Sequence, residues 1–340
     1  MDMNRPAYFI GIDISSETFT VSGLTTPEAF VMSGETILNT PEGFSEFVTK
    51  LEAQQITPEN SILVMEATGV YGESLCYFLH EKGYEVAVEP PNAVKKAFRS
   101  KRKNDAVDSR QIAEYGYRFF DALRLWKPKA DLVEQIRTFL TTREQFTKQC
   151  TANQNTLRAL RKKVVQTPLA IQLLEEHIER LRANIKAIDK AIKALMGQDP
   201  ALKEKGQLAD KVPGVGLLLT ANLMVITSGF SEHVNPNSLA AYIGICPYEY
   251  ESGTSVKRKS TSDRHGTGRL RKLLYLASLS VRTHNPQFKQ YFYRKVAEGK
   301  PERLVLNNIA NRLLRIICAT VKSGTPFIEN YRAVNPVLLK

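Results

Sequence analysis

Four carboxylates in the first third of the sequence stand where a charge is costly. Asp13 ends the apolar run AYFIGIDI and Glu66 ends SILVME. An unpaired buried carboxylate costs several kcal/mol or is neutralised by protonation, so an acid at the end of an apolar strand asks for a bound partner. Asp105 and Asp108 lie in NDAVDSRQIAEY, where a spacing of three puts both on one helical face. If the four converge, their repulsion calls for a divalent cation. Oxygen ligands without His or Cys favour Mg²⁺, with Mn²⁺ as an alternative. Two such ions about 4 Å apart stabilise the attacking and the leaving oxygen of a phosphodiester displacement. Each acid also has a quieter reading: Asp105 as a helix N-cap, Asp108 paired with Arg110 or Arg102, Asp13 as the start of a turn.

A second constellation lies in YEYESGTSVKRKSTSDRHGTG, residues 248–268, which is polar, rich in Ser, Thr and Gly, and reads as a loop or an irregular hairpin. Seven cations follow its glycine closely: Lys257, Arg258, Lys259, Arg264, Arg269, Arg271 and Lys272, with Asp263 the only acid among them. A serine hydroxyl in such surroundings meets phosphate readily and attacks phosphorus when a base or metal activates it. On residue chemistry, Ser252, Thr254 and Ser255 are equivalent candidates; no activating base is evident, with His265 and metal-bound carboxylates as the candidates. Thirdly, KVPGVG at 211–216 precedes an apolar helix. Gly214 and Gly216 there would let backbone N–H groups approach a phosphate, as in helix-hairpin-helix modules, although the same residues make an ordinary tight turn.

The elements that must position these groups follow from periodicity. Residues 7–14, 18–24 and 29–38 read as strands, then a helix opens with Thr40 as N-cap and Pro41 in its first turn. Strand 61–66, helix 70–82 closed by Gly83, strand 84–88 and a further helix complete a β-β-β-α-β-α-β-α order, which suits a mixed sheet covered by helices. From Asp131 the pattern becomes helical. Ile171, Leu174, Ile178, Leu181, Ile185, Ile188, Ile192 and Leu195 keep strict three-four spacing, a heptad seam that closes within one chain or joins two. Residues 206–335 are again mostly helical.

Charge and cysteine usage narrow the partners. The 340 residues carry a net charge of +12, divided as −8 over residues 1–100 and +20 over the rest. A basic excess confined to part of a chain suits phosphate-backbone binding, where neutralised phosphates release counterions. The four cysteines form no CxxC pair and the histidines no cluster, which argues against a disulfide framework or a zinc site. With no N-terminal leader pattern and no 18-residue apolar run in the sequence, the protein is expected in the cytoplasm, without a membrane partner.

A GIDxS turn near the N-terminus also opens actin-like sugar kinases, but their later glycine-rich phosphate segments are missing. Taken in order, GIDIS (11–15), MEATGVYG (65–72), NDAVDSRQIAEY (104–115), VPGVG (212–216), AAYIGICPYEYESGTSV (240–256) and GRLRKLLYLASL (268–279) resemble the insertion-sequence "one-ten" family of DEDD transposases, relatives of Piv-type DNA invertases. The likeness spans about residues 8–330. It implies an RNase H-like (RuvC-like) α/β domain at 1–125, coiled-coil helices at 126–205 and a mainly α-helical transposase domain at 206–335. It places the metal quartet on Asp13, Glu66, Asp105 and Asp108, and a nucleophilic serine on Ser252.

The same resemblance implies a DNA recombinase that cuts and rejoins donor and target DNA through a phosphoserine linkage. It further implies guidance by a structured non-coding bridge RNA and a composite site in a dimer or tetramer. Two other functions fit the residues: a RuvC-like endonuclease that uses water, leaving Ser252 structural, and a nucleic-acid binding protein whose acids are relics.

Overall fold

Tight turns and helix caps set the first elements of the fold. Strands β1 (Tyr8–Ile14), β2 (Thr18–Thr26) and β3 (Ala29–Leu38) form an antiparallel meander. Its first turn is closed by Ser15, whose N–H and hydroxyl both donate to the Thr18 carbonyl, at 2.8 and 2.7 Å. Helix α1 (Pro41–Ala53) begins as its sequence requires, with the Thr40 side chain accepting from the Gly43 N–H. Strand β4 (Ser61–Glu66), helix α2 (Glu73–Glu81), strand β5 (Val86–Glu89), helix α3 (Pro91–Ala97) and helix α4 (Asp105–Arg118) follow. The computed structural model describes residues 5–67, 69–98, 104–231, 235–252, 256–262 and 268–329, with the backbone alone for 247–252 and 256–262.

The sheet order is β3-β2-β1-β4-β5, with β1, β4 and β5 parallel. The central strands are buried on both faces, which is why they read as continuous apolar runs rather than alternating ones. One face carries Ile10 and Ile12 against Phe44, Phe47, Leu75 and Leu79 of α1 and α2. The other carries Phe9, Ile62 and Val64 against Ala113 and Ile112 of α4. Two elements start later than their sequence pattern suggests. Residues 70–72 form turns after Gly69 (φ +78°), so α2 begins at Glu73. The Tyr84 N–H is spent on the Leu79 carbonyl beyond the left-handed Gly83, so β5 begins at Val86.

A second unit, Lys129–Lys340, is separate from Met1–Pro128. It contains helices α5 (Asp131–Leu160), α6 (Pro168–Gln198), α7 (Pro200–Asp210), α8 (Leu217–Ile226) and α9 (Pro236–Ile243). Hairpin strands β6 (Pro247–Ser252) and β7 (Val256–Ser262) come next, then α10 (Gly268–His284), α11 (Pro286–Ala297) and α12 (Glu302–Ser323). Helices α5 and α6 lie antiparallel. Ile178 and Leu181 meet Cys150 and Leu157 at one end of the pair, while Ile188, Ile192 and Leu195 share a core with Val133, Ile136 and Leu140 at the other. Most of the heptad seam is therefore buried within the chain. Arg143, a polar interruption of the α5 stripe, forks onto the Asp189 carboxylate of α6 at 2.6 and 3.1 Å. The core that begins at Val133 runs on to Val321 of α12, within the one unit formed by residues 129–340.

Helix α12 is long and apolar enough to cross a membrane by length and composition. Its Val305, Ile309, Leu313 and Ile317 are wholly buried in the helical core, while Arg312 and Arg315 are exposed, which is the pattern of a core helix.

Helix α4 meets strand β1 most closely at Gly11. A Cβ there would lie 2.1 Å from the Ser109 carbonyl oxygen and 2.2 Å from the Ala113 nitrogen of α4. Gly11→Ala is expected to cost at least about 3 kcal/mol, at the upper end of overpacking penalties, because backbone must move. Gly197→Ala in exposed α6, where nothing lies within 4 Å, is expected to be neutral or to stabilise by up to about 1 kcal/mol. Thermal denaturation of both variants checks the pair, and equal melting temperatures would contradict the packing account.

Candidate active site

Strand register and helix direction bring the four carboxylates to one end of the sheet. The parallel β1/β4 pairing matches Ile12 with Met65, so one further step sets Asp13 level with Glu66. The β4/β5 pairing sets Glu66 directly beside Glu89. Asp13 follows Gly11 by two residues and Glu66 follows Val64 by two, so both point to the face that α4 covers. Helix α4 runs antiparallel to β1. Tyr117, near its C-terminal end, packs edge-on against Phe9 at 5.3 Å, whereas Ser109 and Ala113 lie on Gly11. The first turn of α4, with Asp105 and Asp108, therefore lies at the strand ends that carry Asp13 and Glu66.

The quieter readings of the helical pair resolve individually. The N-cap is Asn104, whose side chain accepts from the Val107 N–H at 2.8 Å, so Asp105 is the first helical residue rather than the cap. Arg110 does not pair with Asp108: its guanidinium reaches the Ser33 hydroxyl and lies over the Phe30 ring. Arg102 is outside the described residues. Both carboxylates lie in the first turn, where the helix dipole favours negative charge. Asp13, Glu66 and Asp108 are half-buried and Asp105 is exposed.

A fifth acid belongs to this row. Glu89 is 7% exposed, the most buried carboxylate among the described residues, and accepts from the Arg124 N–H at 3.3 Å. Burial, and then the nearby Glu89 charge, push the Tyr115 hydroxyl of α4 above its ordinary pKa. Its sequence signal was the one that marks Asp13 and Glu66: a carboxylate ending an apolar strand, here VAVE.

Oxygen donors at one end of a sheet fit a hard divalent cation in chemistry and placement. Among the described residues, however, no three His, Cys, Asp or Glu side chains are closed around a common point. The structure brings the carboxylates to one place without forming a ligand shell.

The serine lies on the other unit. Ser252 is the last residue of β6 and pairs with Val256, the first of β7, in a hairpin whose register sets Tyr250 opposite Arg258 and Glu251 opposite Lys257. The expected irregular hairpin is thus a short antiparallel ribbon with a register shift between Tyr248 and Tyr250. Lys257, Arg258 and Lys259 are strand residues of β7. Thr254, Ser255, Arg264 and His265 lie outside the described residues.

Two of the expected phosphate contacts, Arg269 and Gly214, have structural work. Arg269, at the start of α10, ion-pairs with Glu144 of α5, and its burial lowers its pKa. Gly214 (φ +76°) packs on α10, where a Cβ would lie 2.7 Å from Val281 and 2.9 Å from the Ala277 carbonyl oxygen, so a glycine is needed there for packing alone. Gly216 precedes α8 with open space around it and, with Gly214, borders a hollow of about 340 Å³ lined mainly by leucines. Lys272 is exposed and Arg271 half-buried.

Comparison with known families decides among the classes of protein that this arrangement suits. Residues 10–165 match the DEDD transposase model of the IS110 type, described as "Transposase". Residues 206–293 match "Transposase IS116/IS110/IS902 family". The chain belongs to the IS110 family of transposases. Members of this family rearrange DNA, so DNA is the substrate and the protein is an enzyme. Among curated relatives, the pilin gene-inverting protein of Moraxella lacunata is 26% identical over 326 residues, covering 94% of this chain and 97% of that protein. The Moraxella bovis pilin gene-inverting protein matches with the same identity and coverage. An uncharacterized 42 kDa protein of insertion element IS900 from Mycobacterium paratuberculosis is 28% identical over 163 residues, covering 44% of this chain and 39% of that protein. The first IS110 model spans the sheet and all of α5; the second runs from α7 into α11 and includes the β6–β7 hairpin.

The ion pair with Glu144 gives Arg269 a structural role that exposed Lys272 lacks. Arg269→Ala is expected to remove about 1 kcal/mol and lower the melting temperature by about 2–4 °C, while Lys272→Ala leaves it unchanged and weakens DNA binding. Calorimetry with a DNA titration reads both; an unshifted transition in Arg269→Ala would contradict the structural role.

Proposed function

We propose that this IS110 family protein is a DNA recombinase that joins strands through a covalent serine-DNA intermediate, guided by a structured bridge RNA, on an RNase H-like (RuvC-like) carboxylate domain. The observation that carries the reading is the gathering of Asp13, Glu66 and the first turn of α4 at one end of the β3-β2-β1-β4-β5 sheet, in a chain that matches both IS110 models. The strand order and directions support the RNase H-like assignment. Asp13, Glu66, Asp105 and Asp108 would hold Mg²⁺ or Mn²⁺, which lowers the charge on a phosphodiester undergoing displacement.

The chain's own residues do the rest. Ser252 Oγ forms a bond to phosphorus while the bond from phosphorus to one strand oxygen breaks. The serine proton is lost to a base and a proton is gained by the departing strand hydroxyl. The phosphoserine keeps the phosphodiester's energy, and attack by the exchanged strand's hydroxyl reverses the step and frees Ser252. Lys257, Arg258, Lys259, Arg264, Arg271 and Lys272 neutralise backbone phosphates around the reacting bond. Pairing between the RNA and both DNA partners would supply sequence choice, while the protein reads backbone and shape. Two duplexes brought together call for a symmetric dimer or tetramer. The alternative, a RuvC-like endonuclease, needs the same carboxylates but no serine.

Incubation with element-end DNA, the flanking non-coding RNA and Mg²⁺ is expected to yield a denaturant-resistant protein-DNA adduct that Ser252→Ala abolishes and Ser255→Ala retains. Nicking that survives Ser252→Ala at the original rate would establish the hydrolytic alternative instead. Chelation by EDTA, Asp13→Asn and Asp108→Asn are each expected to lower recombination of a reporter plasmid at least a hundredfold, with Mn²⁺ restoring the chelated wild type. Replacing Lys257, Arg258 and Lys259 by Gln is expected to flatten the dependence of log K on log salt for duplex DNA by about 2.7, three phosphate contacts at about 0.9 each.

A further inference from the structure

A cleft of about 760 Å³ opens between α11, α12 and residues 325–328, and most of its wall lies beyond the segment matched by the second transposase model. Tyr291 lines it. Two guanidinium groups lie over the Tyr291 ring, that of Arg312 from α12 at 5.3 Å from the centroid and that of Arg294 from α11 at 5.8 Å. Arg294 approaches the Glu298 carboxylate only at 3.9 Å, and Arg312 meets no carboxylate among the described residues. Both guanidinium groups are exposed and keep donors for a ligand. Thr320 also lines the cleft; it is 6% exposed, and its hydroxyl has no partner among the described residues. Gln290 and Phe327 add an amide and an apolar wall.

An aromatic ring stacked with arginines is a platform for an unpaired base, and a guanidinium fork matches a phosphate in both charge and shape. A volume of about 760 Å³ falls among small-molecule clefts of about 300–1,000 Å³, which admit a nucleotide and exclude a double helix. We propose that this cleft binds an unpaired nucleotide of a single nucleic-acid strand, its base against the Tyr291 and arginine stack and its flanking phosphates on Arg294 and Arg312. The proposal rests on the nucleic-acid reading above but concerns a site separate from Ser252 and the carboxylates. It assigns α11 and α12 to strand capture. Single-stranded RNA and DNA share this chemistry, and the 2′-hydroxyl is what the Thr320 hydroxyl would distinguish.

The test measures fluorescence anisotropy of the full-length protein with a labelled twelve-nucleotide RNA, the same sequence as single-stranded DNA, and the corresponding DNA duplex, over a range of salt. The Arg294→Ala/Arg312→Ala variant is expected to bind single strands at least tenfold more weakly, with the salt slope reduced by about 1.4, two contacts at about 0.7 each. Duplex binding is expected to change less than twofold. Tyr291→Leu is expected to weaken single strands without altering the slope, and Arg294→Lys/Arg312→Lys to keep the slope. A stronger effect on RNA than on DNA supports the cleft and identifies RNA as its ligand, and an equal effect on both supports a cleft that takes either strand. An equal loss for strand and duplex, or no loss, overturns the proposal. The Ser252 adduct on duplex DNA reports on the recombinase reading independently, because these variants leave the hairpin and the carboxylates untouched.

Discussion

The approach of helix α4 to strand β1 at Gly11 is the constraint on which the carboxylate arrangement depends. No side chain fits between Gly11 and the backbone of Ser109 and Ala113, so the helix axis is fixed against the strand at that point. The buried hydrogen bond between the Ser22 and Ser109 hydroxyls, 2.9 Å, ties the same turn to β2. Phe9 packing on Tyr117 and Phe120 fixes the far end of the helix. With position and direction set by packing alone, the first turn of α4 must come out at the carboxyl ends of β1 and β4. Mutually repelling, half-buried charges are thus held by contacts that do not involve them, as a preorganised ion site requires.

Much of this arrangement was legible in the sequence. The carboxylates end apolar runs, and a strand end is an edge of the sheet where a charge keeps partial access to solvent. The i, i+3 acids and the Thr40 cap obey local rules that tertiary context did not override. What stayed hidden depended on contacts between distant segments. Glu89 carries the same signature as Glu66, yet only the β4/β5 register reveals that they are neighbours. Arg269 reads as one cation among seven until Glu144, 125 residues away in sequence, takes it. The heptad seam gave its period but not its partner, because α5 offers a looser stripe in which Arg143 interrupts the apolar positions and finds Asp189.

The charge division has a physical basis in this arrangement. The first hundred residues carry −8. Part of that charge is the row of Asp13, Glu66 and Glu89, whose mutual repulsion a bound cation would offset. Residues 129–340, the helical unit, carry +17, and the residues from Val133 to Val321 that form its core are apolar and need none of that charge. Folding therefore does not account for the basic excess, and binding a polyanion does.

The two halves of the proposed chemistry rest on supports of different strength. Asp13 and Glu66 sit on central strands packed on both faces, and Asp105 and Asp108 on a helix packed against them, a base that holds its geometry without substrate. Ser252 ends a two-stranded ribbon, an element that in isolation is marginal in water. Its β7 strand carries three successive cations, Lys257 to Lys259, of which Lys257 stands opposite Glu251, and bound phosphates would neutralise the remaining charge and add contacts to the ribbon. On this reading nucleic-acid binding stabilises the nucleophile's strand pairing, so that the serine is best positioned when a strand is present to be cut. Binding energy from the backbone is then used to order the reacting group, which raises the rate of the bound complex rather than only its affinity.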